Sequence, residues 1–252
     1  MKTNLRNLIN KAKSLLHDSN ANDWPVETNE IDKINFELVK PYTGISKNRA
    51  FALMQGIRYI INNKIPGDFV ECGVAKGGSA MLIALTLKSL GVNDRDIYLY
   101  DLFGKRPKYS EWDVEIQSGK SVRDYYDLVD QGDKEAAKNW EFYSSDEVLC
   151  NIRTTGYIES RIHFIEGDVC DTLSLSSHKQ VALMRLDTDF YESTKHELNT
   201  LYPILVDKGV VIIDDYGHWY GARKATEEFL VSLPSQPLLF YVDSTARQFL
   251  KN

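Results

Sequence analysis

Cysteine is scarce in this chain: Cys72, Cys150 and Cys170 are the only three, and no two form a Cys-x-x-Cys pair. That excludes a disulfide framework and a thiolate zinc site, and it predicts a reduced, cytoplasmic setting. Long apolar runs are missing as well. A membrane-spanning helix needs roughly 18 or more consecutive apolar residues, and no stretch approaches that length. Lys2, Arg6, Lys11 and Lys13 open the chain without an apolar run behind them, so no secretory signal is read. Runs of one charge are absent too. Lys and Arg total 30 against 36 Asp and Glu, a formal charge of -6. Neither nucleic acid nor an anionic membrane is therefore expected as a partner. Finally, neither G-x-G-x-x-G nor G-x-x-x-x-G-K-[ST] occurs, which removes the usual dinucleotide fingerprint and the phosphate loop.

What is present suffices for a core, since 43% of the 252 residues are hydrophobic. Leu5, Leu8, Ile9, Ala12, Leu15 and Leu16 fall near helical spacing, predicting an amphipathic packing or self-association helix over residues 1–20. Asp23 to Glu30, with Pro25, reads as a loop. Ser46 to Asn62 reads as a helix that Ser46 could cap. After the break at Pro66-Gly67 the pattern changes. Strands are expected at Asp68–Cys72, Ile97–Tyr100, Ile162–Ile165, Val181–Leu186 and Val210–Ile213. Helices are expected at Gly78–Leu90, Glu192–Leu201 and Ala222–Leu233. Apolar strands alternating with helices predict a doubly wound α/β fold, its parallel sheet covered on both faces. Leu238–Val242 and Arg247–Leu250 flank Asp243-Ser244-Thr245 and read as an antiparallel closing hairpin. Residues 105–157 interrupt this rhythm with charged, aromatic sequence. An insertion after a strand's carboxyl end is where lids and substrate loops belong, although a helical insert that merely packs fits as well.

Two regions carry chemistry. Glu71-Cys72-Gly73-Val74-Ala75-Lys76-Gly77-Gly78-Ser79 joins the first strand to the next helix. Its glycines permit a tight turn and close backbone approach, and the helix N-terminus offers N–H groups to an anion. Asp101 ends the second strand, where an acid can accept from both hydroxyls of a ribose. Asp168 follows the third, where it could receive an adenine amino group. Together these predict nucleoside binding, while strand-end acids that only cap helices, or a redox dinucleotide, satisfy the same features. The second region is denser. Leu186-Asp187-Thr188-Asp189 and Ile213-Asp214-Asp215 end two apolar strands in four acids. In an open α/β sheet the ligand crevice lies at the strands' carboxyl ends. Carboxylates converging there repel one another and call for a hard divalent cation such as Mg²⁺, Ca²⁺ or Mn²⁺. One acid of each pair serving as a helix cap is the alternative.

PGDFVECGVAKGGSA, LDTDFYESTKHELNTLYP and DKGVVIIDDYGHWYGARKA resemble the macrocin O-methyltransferase family of sugar methyltransferases over roughly Pro41 to Leu230. The resemblance implies a class I, Rossmann-like methyltransferase sheet with N-terminal helices and a helical lid insertion. It implies a domain at 66–252, with residues 1–65 helping to cover cofactor and acceptor. It also implies S-adenosylmethionine, Mg²⁺ or a similar cation, and methylation of a hydroxyl on a sugar-type small molecule. Position by position, it makes Asp187, Asp214 and Asp215 metal ligands and Asp189 the general base. Phe190 stands at the spacing where related catechol methyltransferases carry a lysine base. PYTGISKNR resembles a family segment lying over the cofactor, so Tyr42, Thr43 and Ser46 are implied at its methionine end. Glu71, Gly73, Ser79, Asp101 and Asp168 complete the expected cofactor set. His218 and Trp219 are candidate acceptor-pocket residues, and a homodimer or higher homo-oligomer is expected. Without the resemblance, an NAD-linked oxidoreductase or a non-catalytic nucleoside-binding module would remain open.

Overall fold

Five runs rich in Val, Ile, Leu and Phe are apolar on both faces, and only a sheet covered on two sides buries both. In the computed structural model, which describes residues 24–252, they form β1 (Asp68–Cys72), β2 (Ile97–Asp101), β3 (Ile162–Glu166), β4 (Val181–Leu186) and β5 (Leu205–Ile213). The tail adds β6 (Phe240–Tyr241) and β7 (Arg247–Leu250), giving the order β3-β2-β1-β4-β5-β7-β6. Neighbours among β1 to β5 are parallel, while β7 runs antiparallel to β5 and β6 antiparallel to β7. This is the doubly wound sheet with a closing hairpin expected above. The strand order reverses between β1 and β4, so the crevice opens at their carboxyl ends.

Side chains alternate between two cores. Phe69, Leu99, Leu183, Val210 and Ile212 face one, with α1 (Glu30–Val39), α2 (Lys47–Asn62) and α3 (Gly78–Ser89). Val70, Tyr100, Met184, Leu186, Val211 and Ile213 face the other, with α8 (Tyr191–Ile204) and α9 (Tyr220–Ser232). Between β2 and β3 lie α4 (Val122–Asp130), α5 (Lys134–Asn139) and α6 (Ser145–Arg153), and α7 (Val169–Thr172) follows β3. Among the described residues no helix is long and apolar enough to cross a membrane. The amphipathic stretch expected over residues 1–20 lies outside those residues.

Helix α1 was not expected. Its N-cap Asn29 accepts from Asp32 N at 2.9 Å, and Asp32 is itself buried and paired with Arg58. That pairing is why an acid-bearing segment packs into the core. Strand β5 starts at Leu205 rather than Val210. The register with β4 shifts between Val181 and Leu183, and Lys208 adopts positive φ, so Asp207-Lys208-Gly209 bulges instead of ending the strand. The hairpin pairs only Phe240–Tyr241 of the expected Leu238–Val242.

Candidate active site

The glycine-rich turn is shaped by what packs on it. Gly73 has φ 84°, and a Cβ there would lie 1.9 Å from the Asp187 carbonyl oxygen. Only glycine lets the β1 and β4 ends approach this closely. At Gly78 a Cβ would meet the Tyr42 carbonyl oxygen and Thr43 Cβ, each at 2.5 Å. The Tyr42-Thr43 segment therefore lies directly over the start of α3, where the first-turn N–H groups lack helical partners. Helix α6 closes the other side: a Cβ at Gly77 would lie 2.9 Å from Val148, and Asn151 Nδ2 donates to the Lys76 carbonyl at 3.0 Å.

Asp101 is half-buried and braces the same turn. Its Oδ2 accepts from Val74 N at 2.6 Å and Ala75 N at 3.3 Å, and its Oδ1 accepts from Phe103 N at 2.8 Å. Asp168 takes up the helix-cap role weighed above. Its Oδ1 accepts from Cys170 N at 3.0 Å to start α7, and its Oδ2 lies 3.2 Å from Lys108 Nζ. Ser46 likewise caps α2 by accepting from Arg49 N at 3.1 Å, and it donates to Asp243 Oδ2 at 2.6 Å. Glu71 is wholly enclosed and Ser79 nearly so, and both face Arg185.

The four strand-end acids converge. One oxygen each of Asp187, Asp214 and Asp215 lies within 4.8 Å of the others. Asp189, on backbone with φ 69°, turns its carboxyl toward Asp215 instead of capping α8. Two arginines enter the cluster. Arg185 Nη1 donates to Glu71 Oε1 and Asp187 Oδ2, each at 2.6 Å, and Nη2 donates to Asp214 Oδ1 at 2.7 Å. Arg49 Nη1 donates to Asp214 Oδ2. The Asp187 side chain is 26% exposed against 3% for Asp214, so the cluster opens to solvent on the Asp187 side.

Five carboxylates here, Glu71 included, meet two guanidiniums, and the titration reflects that imbalance. Burial, with the charges of Asp214 and Asp215, pushes the Asp187 carboxyl well above the carboxylate range despite Arg185. Burial and then Asp189 and Asp214 do the same to Asp215. Burial and the Asp187 charge push Asp189 up to about 8. Burial also works against ionised Asp214, but Arg185 and Arg49 outweigh it and hold the carboxyl below its usual range. With no cation present, such a cluster relieves its repulsion by binding protons. Asp215 Oδ2 is buried without a donor. Carboxylate oxygens, one of them unpartnered, in a net negative crevice form a donor set that fits a hard divalent cation.

The insertion packs against the start of α8 and against Trp219. Asp113, 1% exposed, accepts from Tyr191 N at 2.8 Å through Oδ1, and from Ser110 N at 2.6 Å and Ser110 Oγ at 2.9 Å through Oδ2. It thereby caps α8 from outside. Gly221 makes room for it, since a Cβ there would lie 2.0 Å from Asp113 Oδ1. Tyr125, Tyr126 and Trp140 of the insertion pack on Phe190 and Trp219, with Trp140 stacked over Phe190 at 6.3 Å between centroids. His218 stacks on Trp219 and lies 3.3 Å from Glu115 Oε1. The other described histidines have partners outside the four strand-end acids: His163 pairs with Asp96, His178 with the Tyr100 hydroxyl and His196 with the Leu173 carbonyl.

Arg49, Asp113, Arg185 and Asp243 were not singled out from the sequence. Arg185 did carry a signal, because a charge inside the apolar run Val181–Leu186 must have a buried counter-charge.

A family model described as Macrocin-O-methyltransferase (TylF) matches residues 5–251. Demethyldecarbamoylnovobiocin O-methyltransferase of Streptomyces niveus is 28% identical over 225 residues, 88% of this chain and 75% of that one. Mycinamicin III 3''-O-methyltransferase of Micromonospora griseorubida is 28% identical over 175 residues, and the match spans 69% of this chain and 65% of that relative. The structure of the O-methyltransferase NovP superposes with a TM-score of 0.72 at 25% identity, covering 99% of this chain and 98% of that one. The calicheamicin methyltransferase CalS11, with a TM-score of 0.54 at 18% identity over 97% of this chain and 91% of that one, shares the fold.

Proposed function

The chain belongs to the macrocin-O-methyltransferase family and is an O-methyltransferase, and from that premise we propose that it moves a methyl group from S-adenosylmethionine to a hydroxyl of a sugar-type acceptor with the help of a divalent cation. Family membership decides against the oxidoreductase and the non-catalytic module that share this frame. The observation that carries the cation is the convergence of Asp187, Asp214 and Asp215 within 4.8 Å, with Asp215 Oδ2 unpartnered.

Methyl transfer breaks a sulfur–carbon bond and forms an oxygen–carbon bond, and the acceptor hydroxyl must lose its proton. Asp187, Asp214 and Asp215 would hold the cation. When bound, a divalent cation lowers a hydroxyl's pKa and fixes its direction. Asp189 faces the same crevice without a capping duty, and its carboxylate is positioned to take the proton. Asp101 is the ribose acceptor of this reading and Asp168 the adenine contact. Tyr42, Thr43, Gly73, Ser79 and Glu71 surround the methionine end, Glu71 and Ser79 acting through Arg185. The insertion over residues 105–157 serves as the lid, its Tyr126 and Trp140 beside Phe190 and Trp219 excluding water. With the acceptor oriented, in-line attack needs mainly positioning.

The test is mass spectrometry of reactions containing S-adenosylmethionine, Mg²⁺ and a panel of sugars, nucleotide sugars and glycosides. One member of the panel should gain a methyl group. EDTA should abolish the gain and added Mg²⁺ should restore it. Full transfer by metal-free enzyme would remove the cation from the mechanism.

A further inference from the structure

Asp214 is the most heavily paired of the three converging acids. Its Oδ1 accepts from Arg185 Nη2 at 2.7 Å and its Oδ2 from Arg49 Nη1. The two arginines differ in freedom. The Arg185 side chain is 2% exposed and locked between Glu71, Asp187 and Asp214. The Arg49 side chain is 20% exposed and reaches in from the first turn of α2. Arg49 also has a second acid at hand. Its Nε lies 3.2 Å from Asp243 Oδ2 and makes no hydrogen bond there. Asp243 is fixed by Ser46 Oγ at 2.6 Å and by Thr245 N and Ala246 N, both at 2.9 Å. One guanidinium is thus shared between an acid of the cation set and an acid outside it.

We propose that Arg49 is a built-in competitor for the cation, holding Asp214 Oδ2 while the site is empty and withdrawing onto Asp243 when a divalent ion binds. The inference rests on Asp187, Asp214 and Asp215 being the cation set. The physical reason is like-charge repulsion. A guanidinium and a divalent ion drawn to one carboxylate repel strongly in a crevice screened by protein rather than water. Asp243 lowers the cost of withdrawal because it already touches the guanidinium. The exchange sets the cation affinity below what the carboxylates alone would give. It also couples the site to Ser46, the cap of α2, next to the Tyr42-Thr43 segment over the glycine-rich turn.

The experiment is Mn²⁺ titration by calorimetry on the full chain, without methyl donor or acceptor. It compares wild type, Arg49→Met, Asp243→Asn, the double variant and Asp215→Asn. Arg49→Met should bind Mn²⁺ more tightly, on the order of tenfold, since removing a nearby positive charge is worth at least the ~1.4 kcal/mol that tenfold represents. Asp243→Asn should weaken binding, because Arg49 then has nowhere else to go. In the Arg49→Met background, Asp243→Asn should change nothing. Unchanged or weaker binding by Arg49→Met overturns the inference, as does an Asp243→Asn effect that persists without Arg49. If Arg49→Met fails to fold, Asp243→Asn alone decides, and unaltered or tighter binding refutes the exchange. Wild type that binds no Mn²⁺, or Asp215→Asn that binds as well as wild type, removes the cation set itself and the inference with it. Failure of the exchange alone leaves wild-type binding intact and lost in Asp215→Asn.

Discussion

Replacing Arg185 by Met keeps an unbranched, largely apolar stem and removes the charge from the centre of the acids. The guanidinium has three carboxylate partners, Glu71 and Asp187 at 2.6 Å and Asp214 at 2.7 Å, and its side chain is 2% exposed. At an effective dielectric of about 20, a charge pair near 4 Å is worth roughly 4 kcal/mol of gross attraction. Burying the guanidinium offsets part of the sum by several kcal/mol, and breaking a buried ion pair typically costs about 3–5 kcal/mol net. For a domain of about 250 residues, 1 kcal/mol corresponds to roughly 2–4 °C, so the melting temperature should fall by about 6–20 °C.

The pH dependence distinguishes charge from packing. In the Arg185→Met protein the folded-state pKa of Glu71, already raised by burial, rises further, and that of Asp214, held low by Arg185 and Arg49, rises as well. Their penalty is then largest at high pH and shrinks as pH falls toward the unfolded pKa of about 4. The gap between variant and wild type in urea midpoint should therefore be wider at pH 8 than at pH 5. A divalent cation should narrow the gap at pH 8, since the acids that have lost Arg185 bind it more tightly and tighter binding stabilises the folded variant more. A melting temperature within 2 °C of wild type, or a gap independent of pH, would refute the electrostatic account of this centre.

Three further outcomes are expected. Asp189→Asn should slow methyl transfer by ~10²–10⁴-fold with metal and cofactor binding retained, and wild-type turnover would dismiss it as the base. Burial holds the His178 imidazole down at about 4, 7% exposed beside the Tyr100 hydroxyl. Its contribution, on the order of 3 kcal/mol, is complete above the unfolded pKa of about 6.5 and is lost as pH falls toward 4. His178→Leu should flatten the acid limb of a denaturation series, and an unchanged slope would place the sensitivity elsewhere. Asp113→Ala leaves the Tyr191 N–H without its acceptor, at about 1.5–3 kcal/mol for a bond to a charged group. Trypsin should then cut the Lys105 to Arg123 segment faster, and an unaltered cleavage rate would mean that other contacts seat the insertion.

How much of this was legible in the sequence depends on distance along the chain. The parallel strands were readable because each is a self-contained apolar run. The acid convergence was readable because parallel strands must end at one edge, so that Asp187 and Asp214 meet whatever the details. The insertion was readable only as an interruption. Its helices α4 and α6 nevertheless open with capping boxes, Ser121 with Asp124 and Ser144 with Glu147, whose three-residue spacing stands in the sequence. Helix α1 escaped because its buried Asp32 breaks the apolar pattern until Arg58 is placed against it. The roles of Asp113 and Asp243 required partners 78 and 197 residues away, at Tyr191 and Ser46, which no local pattern encodes.

Arg185 belongs to neither class, and it shows how charge and fold specify one another here. One of its acid partners, Glu71, is its register partner on β1, and both side chains share the sheet face with Phe69 and Leu183. Slipping β4 by one residue against β1 would move Arg185 to the opposite face, against Leu198 and Leu201. Glu71 would then be buried without a counter-charge and Asp214 would keep only Arg49, while most of the apolar residues of β4 would still find apolar neighbours. Apolar burial alone therefore discriminates weakly between the two registers of a strand that is hydrophobic on both faces. A single buried guanidinium discriminates strongly, because the wrong register costs several kcal/mol per unpaired ion. The same placement that fixes the register brings Asp187, Asp189, Asp214 and Asp215 to one height at the edge of the sheet.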